Sequence, residues 1–160
     1  MIVETTALEW PGLIDWEDVA RKAANAALAA EGGAIPSITE VAVRLTSDAE
    51  VRMLNRDYRG KDKPTNVLSF PMLDANELAD VAQNLPPEIL LGDIVLAQET
   101  CAREAAEKGV SLEAHAVHLI VHGTLHLLGY DHIDDDDAAQ MEAIESAAMA
   151  ALGLHKPYDD

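Results

Sequence analysis

Glu113-Ala114-His115-Ala116-Val117-His118-Leu119-Ile120-Val121-His122-Gly123-Thr124-Leu125-His126-Leu127-Leu128-Gly129-Tyr130-Asp131-His132 is the stretch on which the reading of this chain turns. Ser111 just before it reads as a helix N-cap, and the run from Leu112 to Leu128 reads as one helix that Gly129 terminates, a residue free to adopt the left-handed conformation that ends helices. One long helix followed by a sharp return of the chain is therefore expected. Five of the six histidines in the protein fall here, a concentration that needs a reason.

His122 and His126 are four apart, so on a helix they sit one turn above each other, rotated by only about 40°, and both rings can reach one ion. His132 could not join them on an unbroken helix, because ten residues span ~15 Å, whereas the ligands of one zinc all approach within ~2.1 Å. The helix has to break between them, and Gly129 stands where the break is needed. Three neutral imidazoles leave a zinc ion its double positive charge and an open fourth position, the arrangement of catalytic sites. The spacing also matches the metzincin peptidase pattern H-E-x-x-H-x-x-G-x-x-H except at one position. Gly123 replaces the Glu that would take a proton from water, which disfavours a metallopeptidase.

Working outward, a strand is expected from Ile2 to Leu8, then a helix from Trp16 to about Ala30, capped by Asp15 and stopped by Gly32-Gly33. Ile38 to Leu45 alternates as a half-buried strand. Ser47 and Glu50 form a capping box that opens a helix to about Tyr58. Asn66 to Phe70 and Leu90 to Ala97 read as strands, and Pro71 to Glu88 between them reads as a long surface loop. Gln98 to Lys108 and about Asp136 to Leu152 read as helices, the latter with the acidic run Asp134 to Asp137 at its start. Together these predict an α+β fold with a single domain over 1–155. It would comprise a mixed sheet of about four strands packed with about five helices, a zinc site at the end of the histidine-bearing helix, and a frayed tail at 156–160.

The length of 160 residues, 49% apolar and 25% charged, is that of an ordinary globular domain. Neither a secretory leader nor an apolar run of roughly 20 residues is visible, so a cytoplasmic protein without a membrane partner is expected. Cys101 is the only cysteine and reads as a small packed side chain, so a metal would have to be held by His or carboxylates. The net charge of −18 opposes non-specific attraction to phosphate, and any RNA contact needs local positive charge. Six of the eleven basic residues, Arg44, Arg52, Arg56, Arg59, Lys61 and Lys63, do fall in one stretch. Arg52, Arg56 and Arg59 or Lys63 recur at steps of three to four residues and, beside the histidine motif, read as one side of an RNA groove; the alternative is a solvated face paired with Asp48, Glu50 and Asp57. His115 and His118 either line the cleft or pack, and Asp131 either orients a ligand ring or serves the turn.

The run His122-Gly123-Thr124-Leu125-His126-Leu127-Leu128-Gly129-Tyr130-Asp131-His132 resembles the signature of the YbeY family of bacterial rRNA maturation factors, H-G-x-L-H-L-x-G-Y-D-H. Leu54-Asn55-Arg56-Asp57-Tyr58-Arg59, Pro64 to Pro71 and Leu91-Gly92-Asp93-Ile94 are similar to its other blocks, in the same order. The resemblance implies a zinc-dependent, single-strand-specific endoribonuclease that matures the 3′ end of small-subunit rRNA and takes part in ribosome quality control. It implies one zinc per chain on His122, His126 and His132, with Arg59 as the functional arginine. Single-stranded rRNA and the small ribosomal subunit with its proteins would be the partners, and DNA would not. Asn66 departs from the family's usual Asp. A non-catalytic, zinc-stabilised ribosome-assembly factor is the alternative from another class.

Overall fold

Val41, Val43 and Leu45 alternate with Ala42 and Arg44, so one face of the strand they form is buried, and the sheet is built around that strand. The computed structural model describes residues 1–158. Its elements, in chain order, are β1 (Ile2–Ala7), α1 (Trp16–Glu31), β2 (Ile38–Thr46), α2 (Asp48–Arg59), β3 (Val67–Pro71), α3 (Ala75–Asn84), β4 (Glu88–Ala97), α4 (Gln98–Lys108), α5 (Leu112–Leu127) and α6 (Asp135–Ala151). The strands lie in the order β1-β2-β4-β3. β1 and β4 run parallel to β2, and β3 runs antiparallel to β4. The α+β class and the four-stranded mixed sheet are as the sequence predicts.

Successive residues of β4 point to opposite faces, and the two cores follow from that. Ile94 and Leu96 join the main cluster, with Val43, Ile120 and Leu125, beneath α1 and α5. Val95 and Ala97 join a smaller one with Val51 and Leu68 beneath α2. α5 touches α1, α4, α6, β3 and β4, and is buried almost all round. That explains why its apolar residues show no single stripe. Where β4 passes β2, the register steps past Leu91, and Gly92 takes φ +144°. A Cβ there would lie 2.2 Å from the Phe70 carbonyl oxygen, so only glycine lets β3 close against β4.

Two expectations need correction. The segment Pro71 to Glu88 is not all loop, because Asp74 and Glu77 form a reciprocal capping box that opens α3. Leu78 packs it against the core, although none of its residues is fully buried. α3 is the helix that raises the number from five to six. At α2 only half of the expected capping box forms. The Ser47 hydroxyl accepts the Glu50 N–H at 3.3 Å, but the Glu50 carboxylate turns to Arg44 and Thr46 instead. In the expected frayed tail, Pro157 is buried and the Tyr158 ring meets His118 edge-on, with centroids 5.4 Å apart. Asp159 and Asp160 lie outside the described residues. No described helix is long and apolar enough to cross a membrane.

Candidate metal centre

α5 begins where the Ser111 hydroxyl accepts the Ala114 N–H and ends in a turn that the sequence dictates residue by residue. Gly129 adopts φ +97°, its N–H reaches the His126 carbonyl, and the Tyr130 N–H reaches back to the Leu125 carbonyl, both at 3.0 Å. The Tyr130 hydroxyl donates to Glu31 at the end of α1, which ties the returning chain to the fold. Two residues later the chain presents His132 to the helix it has just left.

His122, His126 and His132 each offer one ring nitrogen to a common point, and these three atoms all lie within 4.8 Å of one another. Hydrogen bonds fix the chemistry of two of the rings. His126 Nδ1 donates to the Tyr130 carbonyl at 2.9 Å, and His122 Nδ1 is hydrogen-bonded to Glu145 Oε1. Both partners are acceptors, so each Nδ1 carries a hydrogen, and in the neutral ring each Nε2 then keeps its lone pair. Those two Nε2 atoms face each other at 3.0 Å. Two lone pairs at that distance repel, and a cation between them turns the repulsion into coordination. Burial, with His122 beside it, holds the His126 ring below the ordinary histidine value and keeps it in the neutral form that binds metal. His132 is half exposed, which leaves one side of the cluster open.

The three imidazoles form one wall of a cleft of about 650 Å³, with Tyr58 and Arg59 from the end of α2, and Asn66 and Ser69 around β3, on the others. This volume lies in the range of ligand sites. Arg59 is the one member of the basic stretch that lines it. Arg44 is hydrogen-bonded to Glu50, Arg52 to Asp62 at 2.8 Å and Arg56 to Asp57 at 3.0 Å. The first three arginines of the stretch thus have the character of a paired, solvated face. A second hollow of 510 Å³, on the far side of the sheet against α2, contains none of the three imidazoles.

The remaining readings resolve from their neighbours. His115 is buried and its Nε2 lies 2.8 Å from Glu104, and His118 is buried beside Tyr158, so both are packed rather than presented to the cleft. Asp131 serves the turn, accepting the His132 N–H at 2.8 Å, and its carboxylate is 3.9 Å from the His132 ring. Asn66 donates to Glu104 at 3.0 Å, a bond for which an ionised aspartate has no hydrogen. Asp134 caps α6 through the Asp137 N–H. Cys101 is buried, and burial pushes its thiol up, out of the reactive range. A Cβ at Gly123 would lie 2.9 Å from Ile94 Cγ2, so a side chain there is aimed at β4. The peptidase reading lacks room for its glutamate as well as the glutamate itself.

Sequence reasoning missed Glu145. It is fully buried on the inner face of α6, hydrogen-bonded to His122, with its second oxygen 3.7 Å from His118 Nε2. Burial works to raise its carboxyl, but the bond from the His122 ring, with the His118 and Tyr158 side chains close by, holds it at about 2. The signal was present: Met141, Glu145, Ala148 and Met149 recur at helical spacing, and an acid in such a stripe needs a buried partner.

Fold and site together define a small α+β domain whose central helix and the turn after it gather three imidazoles along a cleft. The model of one family, described as Endoribonuclease YbeY, matches residues 9–153. The Endoribonuclease YbeY of Sphingopyxis alaskensis is 60% identical over 164 residues, covering 99% of this chain and 97% of that relative. That of Erythrobacter litoralis is 53% identical over 161 residues, covering 100% and 99%. The solution structure of TM1509 from Thermotoga maritima shares the fold with a TM-score of 0.56 at 22% identity, over 99% of this chain and 100% of that one. The chain belongs to the YbeY family.

Proposed function

We propose that this protein is a metal-dependent endoribonuclease that cuts single-stranded RNA in the cleft between α2, β3 and α5, and that its substrate is small-subunit rRNA in 3′ end maturation and ribosome quality control. The observation that carries the reading is the pair of Nε2 atoms that face each other at 3.0 Å and, with a ring nitrogen of His132, converge in a cleft that Arg59 also lines. The names of the relatives support cleavage of RNA, and membership of the family supports the metal. The ribosomal substrate rests on the family resemblance of the histidine motif and its upstream blocks.

His122, His126 and His132 would hold one divalent ion, and zinc suits a set of three neutral nitrogens with an open side. Bound there, zinc supplies Lewis acidity toward an electron-rich oxygen. The protein's own groups do the rest. The Tyr130 carbonyl and the Glu145 carboxylate keep two rings turned toward the cleft. Arg59, a permanent cation with forked donors, stabilises the negative charge that grows on the phosphate as the bond breaks. Among the described residues no carboxylate pairs with it, so the guanidinium is available to an incoming phosphate.

The test is metal analysis and RNA cleavage on the same preparations. Wild type should carry one zinc per chain and cut a single-stranded oligoribonucleotide, lose activity to a chelator and regain it with added zinc, while His132→Ala should show neither zinc nor cutting. An active, metal-free wild type would overturn the reading. Mass analysis of the cut ends then separates attack by the ribose 2′-OH, which leaves a 2′,3′-cyclic phosphate, from attack by water. A second reading, an assembly factor docking on basic ribosomal proteins, is favoured by the net charge of −18. Ribosome assembly that survives in a folded His126→Ala variant would support it.

A further inference from the structure

The inner stripe of α6 is Met141, Glu145, Ala148 and Met149, and Glu145 is as buried as the methionines beside it. Taking a carboxylate out of water costs several kcal/mol unless it is paired. Its partners here are specific. Oε1 is hydrogen-bonded to His122 Nδ1, Oε2 faces His118 Nε2 at 3.7 Å, and Tyr158 of the C-terminal segment lines the same hollow as the carboxylate. The three imidazoles of the cluster are therefore supported unequally. His126 is oriented by a backbone carbonyl, and His132 stands half exposed with only Asp131 at 3.9 Å. His122 alone rests on a buried negative charge.

We propose that Glu145 is a positioning residue for the metal centre: it holds His122 in the tautomer whose Nε2 is bare and faces His126, and it supplies the negative charge that offsets a bound divalent cation. The inference rests on the metal reading above. Three neutral imidazoles bring no charge to a dication, so the nearest buried anion governs how well the protein tolerates the ion. Glu145 reaches the cluster through one ring, which makes His122 both the mechanical and the electrostatic link. A merely structural glutamate would set the stability of the metal-free fold and leave metal affinity and ring tautomer alone.

Two substitutions separate geometry from charge. Glu145→Gln keeps an oxygen that can accept the His122 Nδ1–H but removes the charge, and Glu145→Ala removes both. Zinc affinity measured by chelator competition on protein shown to be folded by circular dichroism should weaken about 10-fold in Glu145→Gln and about 100-fold in Glu145→Ala. In the metal-free protein, ¹⁵N histidine spectra should place the His122 proton on Nδ1 in wild type and Glu145→Gln, and on both nitrogens in Glu145→Ala. Folded variants that bind zinc within about twofold of wild type would overturn the proposal. So would a metal-free wild type whose His122 proton sits on Nε2, a result that needs no variant to fold. Wild type that takes up no zinc overturns the metal reading and this proposal with it; wild-type binding with unaffected variants overturns this proposal alone.

Discussion

α5 carries four histidines, and its two halves use them in opposite ways. In the first half His115 and His118 are both buried; His115 Nε2 is taken up by Glu104, and His118 lies between Glu145 and Tyr158. In the second half His122 and His126 each give Nδ1 to an acceptor behind them and turn Nε2 outward to the cleft. Same residue type, same helix, one turn apart. What separates a candidate ligand from a packed ring is which nitrogen is used and whether the other meets a void. Glu145 lies on the border between the two halves, touching His118 with one oxygen and His122 with the other.

The comparison breaks most visibly if one histidine from each half is removed. His126→Ala should lose stoichiometric zinc, and RNA cleavage should fall to the level of chelated wild type. His115→Gln should keep one zinc per chain by metal analysis. Equal loss in both would mean that the helix acts as a whole and that the division is false. The same contrast can be drawn across the cleft. Arg59→Ala should slow cleavage by about 100- to 1,000-fold with zinc retained, the usual effect of removing a donor aimed at developing charge. Arg52→Ala, which loses only the exposed pair with Asp62, should stay within about twofold in the same kinetic assay.

Much of this was legible in the sequence, because the signals were local. The period of β2, the Ser111 cap and the Gly129 break are contained in short windows, and three histidines around a break leave few geometries. Loop versus helix at 71–88 was not legible, because α3 buries no residue fully and its capping box sits in a stretch rich in Pro, Asn and acids. Nor was the division of the basic stretch. Arg52 pairs with Asp62, ten positions away and beyond the end of α2, a partner that only the fold selects. Glu145 acts on His122 across 23 positions, and the anomaly of an acid in an apolar stripe becomes informative only once α6 is laid against α5.

The close packing of α5 on β4 sharpens the comparison next. Gly123 lies between the two outward-facing histidines, and a Cβ there would come within 2.9 Å of Ile94 Cγ2. Alanine favours a helix over glycine by up to about 1 kcal/mol. Overpacking against a branched side chain costs about 1–3 kcal/mol. Gly123→Ala should therefore destabilise the metal-free protein by roughly 1 kcal/mol in urea denaturation, from the balance of those two effects. An increase in stability would mean that Ile94 yields freely and that the helix is not seated as closely as its glycine implies.

The smallest effect expected comes from the buried half of α5 and concerns pH. Burial, against the opposing bond to Glu104, holds the His115 ring below the ordinary histidine value. The folded state therefore binds a proton there less readily than the unfolded chain. Between the folded and unfolded values the unfolded chain carries more protons, so stability rises with pH across that window. The contribution is complete above the ordinary imidazole range and is lost as pH falls through the folded value. Denaturant midpoints measured downward from neutral pH should decline in wild type, and less steeply in His115→Gln, whose amide can still donate to Glu104 but does not titrate. Parallel slopes for the two proteins would assign the decline to other groups. The contrast between the halves of α5 rests on geometry in either case, because burial holds the outward-facing His126 below the ordinary value as well.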